Sequence, residues 1–164
     1  MVFPTVSGED AGRWAPTGLG DGTHAHSVPK RVFKLAIQEE VTAFNKSGKI
    51  ESSLDATDGF IHLSDNVSAR VVAKLFFTKA TDLRLIELDA QKFEGPIQWI
   101  IGKMGDAQPD RKVLDRAKTT IHFLRSDGCV HVYGGVSTKW IVREEAVPLG
   151  ADGVHIFPEW LDAM

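Results

Sequence analysis

Residues 58–64 read Asp-Gly-Phe-Ile-His-Leu-Ser, and this heptapeptide restricts the fold more than any other stretch. Asp-Gly is a turn signal, and the residues after it alternate in character as a strand does. Side chains on a strand switch faces at every residue, so Phe60, His62 and Ser64 share one face while Ile61 and Leu63 take the other. A titratable imidazole and a hydroxyl therefore project side by side from an otherwise apolar strand. The run Cys129-Val130-His131-Val132-Tyr133-Gly134 repeats the arrangement with His131 and Tyr133. Two strands that present polar groups from one face are what a pocket floor requires.

The rest of the chain is compatible with such a strand core. Its 164 residues suit one domain, large enough to bury roughly two thirds of its unfolded surface. A net charge of −3 with no sustained basic run gives no sign of a nucleic-acid or anionic-membrane partner. No apolar stretch reaches the roughly 18 residues of a membrane span, and the N-terminus lacks the basic-then-apolar order of a secretory signal. Cys129 is the single cysteine, which excludes an intrachain disulfide and makes a cytoplasmic setting the expectation. Cys129 itself reads as packing rather than as a nucleophile.

Residues 1–29 hold Gly8, Gly12, Gly18, Gly20 and Gly22 with Pro4, Pro16 and Pro29, and show no periodic apolar face. They are expected to form a flexible N-terminal arm that folding does not need. His24 and His26, without further ligands nearby, read as a solvated pair, and no metal site is expected.

Residues 30–164 read as a single α+β domain with two helices near the front and many strands behind them. A strand over 31–35 leads into a helix marked by Ile37, Val41 and Phe44, with Gly48 at its C-terminal cap. Residues 49–57 read as a polar loop. Ser64 or Asp65 caps a second helix, with Val67, Val71 and Leu75 as its buried stripe. Further strands are expected over 83–88, 97–101, 119–124, 130–133, 140–143 and 154–157, with a helical turn or two within 112–118.

Phosphate loops, His-Glu-x-x-His, Cys-x-x-Cys and Gly-x-Ser-x-Gly are all absent, which argues against several large enzyme classes. His62 is the sharpest candidate, because a neutral imidazole can bind a substrate hydroxyl or serve as a general base near neutral pH. Ser64 beside it and His131 with Tyr133 on the matching strand strengthen the reading. Asp55 and Asp58 flank the turn, where they could orient His62, fix a ribose, or accept backbone N–H groups. His122 and His155 read as structural or surface residues.

These pieces, in their order, resemble the domain of unknown function 952 family over about residues 31–158. The resemblance rests on Gly48-Lys49-Ile50, Asp55, the heptapeptide itself, Phe76-Phe77, the strand ending in Asp89, His131-Val132-Tyr133-Gly134 and the closing segment from Asp152-Gly153 to Phe157-Pro158. It implies an ADP-ribosyltransferase-like fold, a split mixed sheet holding NAD or a related nucleotide in a cleft, with glycosidic-bond or ADP-ribosyl chemistry. NAD would then be substrate or ligand, with His62 and Ser64 at the ribose or diphosphate and His131 with Tyr133 at the base or reacting carbon. Two departures stand out. Ile100 follows Trp99 where the family usually has a glutamate, and Cys129-Val130 stands where it usually has Phe-Pro. Between them lies a long insert, about 102–128. Isoleucine can neither stabilise an oxocarbenium-like ribose nor activate a nucleophile, although Glu87, Glu94 or an acid of the insert could substitute. The alternatives are a binding module of the same fold without catalysis, for a small molecule or a protein, and a His-based acid/base enzyme acting on a non-nucleotide small molecule.

Overall fold

Strand β2, Arg31–Ile37, is the axis from which the described residues, 2–7 and 28–163 of the computed structural model, are best followed. Ile37 ends β2 and its N–H donates to Glu40 at 3.1 Å, which starts helix α1, Gln38–Ser47. Val41 and Phe44 face the core, and Gly48 closes the helix at φ 78°, a left-handed conformation that glycine adopts without steric cost. The expected loop after it contains a short helix, α2, Ser53–Asp58. A reciprocal capping box starts it: Ser52 accepts from the Asp55 N–H and Asp55 accepts from the Ser52 N–H.

Strand β3, Ile61–Ser64, follows, and Asp65 rather than Ser64 caps helix α3, Asn66–Phe76, by accepting from the N–H groups of Val67 and Ser68. Strands β4, Leu83–Asp89, and β5, Ile97–Gly102, lead to a one-turn helix α4, Arg111–Leu114. Strands β6, Thr119–Leu124, β7, Cys129–Tyr133, and β8, Ile141–Ala146, complete the list. Val2–Ser7 is β1, and among the described residues the sheet is mixed and eight-stranded, in the order β1-β5-β6-β7-β3-β2-β4-β8. Strands β1, β5 and β6 run parallel, and the other pairings are antiparallel.

One face of the sheet carries the larger core, with Val32, Ile61, Leu63, Ile86, Leu88, Trp99, Ile121, Val130 and Val132 packed with Val41 and Phe44 of α1. A second cluster joins Phe33, Leu35, Leu83 and Leu85 to Ala69 and Ala73 of α3 and to Leu161.

Several expectations need correction. Residues 2–7 pair with β5 instead of belonging to a free arm; positions 8–27, including His24 and His26, lie outside the described residues. The expected strand at 119–124 is β6, which lies within the 102–128 insert and separates β5 from β7. Residues 154–157 form no strand and keep only an isolated bridge from His155 to Leu149. The stripe on α3 is turned around: Val67, Val71 and Leu75 are 65%, 50% and 63% exposed, while Ser68, Ala69 and Ala73 are buried. Small side chains let α3 lie close against β2, where the expected stripe of Val67, Val71 and Leu75 would hold it off. Ala73→Leu is therefore expected to overpack this seam and cost about 1–3 kcal/mol. Val71→Glu should stay within about 0.5 kcal/mol of wild type in urea denaturation.

Candidate functional site

The centre of the site lies where β2 and β3 part. The two strands share a single register pair, Phe33 with Ser64, whereas β3 pairs along its length with β7. Beyond that pair, the His62 backbone has no strand on the β2 side. Its N–H donates instead to Asp55 Oδ1 at 2.9 Å, and its carbonyl accepts from Lys34 Nζ at 3.0 Å. Lys34 also donates to both Asp55 oxygens, at 3.1 and 2.8 Å. The buried ion pair thus takes the place of two ladder hydrogen bonds.

Both partners are nearly inaccessible, Lys34 at 4% and Asp55 at 1% exposure. Burial pulls the Lys34 ammonium below its usual range, opposed by Asp55. For Asp55 burial acts upward, but the His62 hydrogen bond, the Lys34 charge and hydrogen bond, and the Ser52 N–H outweigh it and hold the carboxyl well below the usual carboxylate range.

The same carboxylate fixes the His62 ring, with Nδ1 2.7 Å from Asp55 Oδ1. On the opposite edge Nε2 lies 2.9 Å from Asp58 Oδ2, and the Asp58 side chain is 37% exposed. Satisfying both ionised carboxylates requires a proton on each ring nitrogen. If one proton leaves, the contact to exposed Asp58 is the one free to open, and Nε2 becomes an acceptor.

His62, His131 and His122 stand opposite one another on β3, β7 and β6 and so share one face. Phe60 stacks on His131 with ring centroids 4.1 Å apart and touches His62 and Tyr133 at 4.5 and 5.4 Å. A cavity of about 620 Å³ opens here, of ordinary size for a small-molecule site. His62, His131, Ser64, Asp55, Asp58 and Phe60 line it, and Leu54, Val72, Phe76, Phe77 and Met104 give it apolar walls.

Five of the six candidate residues therefore meet in one cavity. Tyr133 does not. It lies on the same face but lines a separate hollow of about 390 Å³ with Gly59, Arg111 and Lys118. Its hydroxyl is buried without a hydrogen-bond partner, and burial pushes it up to about 12, which makes it a poor proton carrier near neutral pH. Asp55, an expected substrate contact, is committed to His62, Lys34 and Ser52, so it positions the imidazole. Ile100 is 1% exposed and sits across from His122, whose buried Nε2 has no hydrogen-bond partner.

Lys34 was missed from sequence, although a lysine inside the apolar run Val32-Phe33-Lys34-Leu35-Ala36 is a signal of a buried charge needing a partner. Leu54, Phe76 and Met104 were missed as well. Among the described residues no group of His, Cys, Asp and Glu side chains is arranged to hold a metal ion, and no helix is long and apolar enough to cross a membrane.

The family model described as "Protein of unknown function (DUF952)" matches residues 35–144, which include the ion pair's carboxylate, the histidine pair and both strands of the pocket floor. The chain belongs to the DUF952 family. Two crystal structures of protein CC0527 from Caulobacter crescentus are similar to it, each with a TM-score of 0.58 and covering 80% of this chain and 97% of that one. Their identities are 24% and, for a double mutant, 25%. A solution structure of CC0527 matches with a TM-score of 0.52 at 24% identity, over 83% of this chain and 97% of that one. These likenesses show the α+β fold. None of the curated proteins matches the chain.

Asp55→Asn removes the counter-charge of a buried ammonium, and such a loss typically costs about 3–5 kcal/mol. Denaturant unfolding should show that loss for Asp55→Asn and a smaller one for the double variant Lys34→Met/Asp55→Asn. A second expectation concerns acid. His131 is pushed down to about 4 by burial and by the charges of His62 and His122, with Asp58 opposing. On acidification the unfolded chain binds that proton first, near 6.5, so stability present above that pH is lost progressively toward pH 4. His131→Gln should flatten the fall in melting temperature between pH 6.5 and 4, and His122, also held low by burial, accounts for part of what remains.

Proposed function

We propose that this DUF952 chain is an acid/base enzyme acting on a small non-nucleotide molecule, with His62 as the proton carrier. The observation that carries this reading is the imidazole held at Nδ1 by a buried, ionised Asp55 while Nε2 turns to a cavity with apolar walls. A hydrogen bond from Nδ1 fixes the tautomer, so the neutral ring presents an acceptor at Nε2. Asp58 accepts from a protonated Nε2 when no substrate is present; being partly exposed, it can release that N–H to donate its proton to a substrate, and Nε2 accepts a substrate proton only in the neutral ring. His131, kept neutral by its low proton affinity, can then bind a polar group without competing as a cation. A cytoplasmic setting belongs to the same proposal.

The second reading is an ADP-ribosyltransferase-like fold holding NAD or a related nucleotide. In its favour are the mixed sheet, the parting of β2 from β3 and the size of the cavity. Charge weighs against it. Among the described residues Lys34 is the only Lys or Arg lining the cavity and is already bound to Asp55, while Glu40, Asp55 and Asp58 are all acidic. A diphosphate would find no available guanidinium or ammonium there.

The test is incubation of a cellular metabolite extract with wild type and with His62→Gln, followed by mass spectrometry. A non-nucleotide compound should be consumed by wild type and about 10²-fold or more slowly by the variant. Release of nicotinamide from NAD by wild type would replace this reading with the nucleotide one. Retention of a compound without change would make the domain a binding module.

A further inference from the structure

The cavity holds a property that proton transfer by His62 does not use. Ser64 is 5% exposed and lines the cavity. Its hydroxyl can bond to a polar atom supplied from the cavity. Glu40 and Asp58 also line the cavity, and among the described residues the groups facing them with opposite charge are Lys34, which is bound to Asp55 and also near Glu40, and the His62 ring beside Asp58. Glu40 spends one oxygen on the Ile37 N–H and Asp58 one on His62, so each retains a second carboxylate oxygen. Leu54, Phe76 and Met104 are 57%, 74% and 55% exposed at the cavity rim. Apolar side chains gathered around one opening gain from being covered by an apolar ligand.

We propose that the cavity selects a small organic cation: an ammonium held by Asp58 and Glu40, an apolar body against Leu54, Phe76 and Met104, and a polar atom reaching Ser64. This rests on the acid/base reading above and names its substrate class. The ammonium also gives Asp58 a new partner, which frees His62 Nε2 at the moment the ligand is seated. An anion of the same shape meets two carboxylates and, among the described residues, no unpaired Lys or Arg lining the cavity.

Matched probes isolate the charge. 2-Phenylethylamine, 2-phenylethanol and 3-phenylpropanoate carry the same ring on similar chains, and binding can be followed by amide chemical shifts in the full chain. The amine should bind about tenfold or more tightly than the acid at low salt, with the alcohol between, and shift Leu54, Ser64 and Phe76. Added salt should narrow the gap. Asp58→Asn and Glu40→Gln should each reduce the amine's advantage several-fold and leave the alcohol's affinity nearly unchanged. Ser64→Ala tests the hydroxyl contact and should weaken 2-amino-1-phenylethanol more than 2-phenylethylamine. Equal or tighter binding of the acid would overturn the proposal, as would amine shifts confined to residues outside the cavity.

The two readings fail separately. Binding of the amine is expected to survive His62→Gln, whereas consumption of a metabolite is not. Loss of charge preference with His62-dependent turnover intact would sink only the cation assignment. Charge preference without any His62-dependent turnover would sink only the enzyme reading.

Discussion

The Lys34–Asp55 ion pair is the constraint on which the rest of the site depends. A sheet strand that leaves its neighbour exposes backbone donors and acceptors, and in a buried place these groups must be satisfied by something else. Here β3 leaves β2 after one register pair, and the two charged side chains take up the His62 N–H and carbonyl. Buried pairs of this kind are weak evidence for stability, since desolvation offsets much of their attraction. Their use in this chain is geometric. They keep the strands apart without leaving the backbone unpaired, and the gap so preserved opens on the cavity.

One carboxylate performs both the structural and the chemical task. Asp55 Oδ1 accepts from the backbone and from the ring of the same residue, at 2.9 and 2.7 Å. The ring cannot rotate or flip without losing its hydrogen bond to the carboxylate that also replaces strand pairing. Orientation of the proton carrier is therefore coupled to the fold itself, whereas the contact at Nε2, to a partly exposed aspartate, is the one that can change. Phe60 packs against His131, Tyr133 and His62 and fixes the floor from the side. The acidic groups and apolar rim then decide which molecules reach that floor.

Much of this floor was legible in the sequence. Alternation in the heptapeptide and in the His131 strand puts His62 and His131 on one face, and the register pairs them directly. Gly48 ends its helix as its position foretells. What failed did so for identifiable reasons. The periodic Val67, Val71 and Leu75 on α3 satisfy a helical stripe, yet the face with Ala69 and Ala73 wins because it fits closer to β2. Tyr133 follows the strand alternation but opens into another hollow, since alternation fixes the face of a sheet and not the boundaries of a cavity. Lys34 was passed over because the apolar residues around it, not the lysine, carry the strand signal. The loop from Lys49 to Thr57 hid a capping box whose Asp55 turns out to be the hinge of the site.

The account is tested most directly by the protonation pattern of His62, read from long-range proton–nitrogen NMR spectra of the imidazole across pH. If Asp55 holds the ring as described, Nδ1 keeps its proton in both the charged and the neutral ring, and Nε2 is the nitrogen that loses it. Replacement of Asp58 by Asn should leave that pattern intact, while replacement of Asp55 should abolish it. A neutral ring protonated at Nε2, with Nδ1 bare toward Asp55, would contradict the account at its centre.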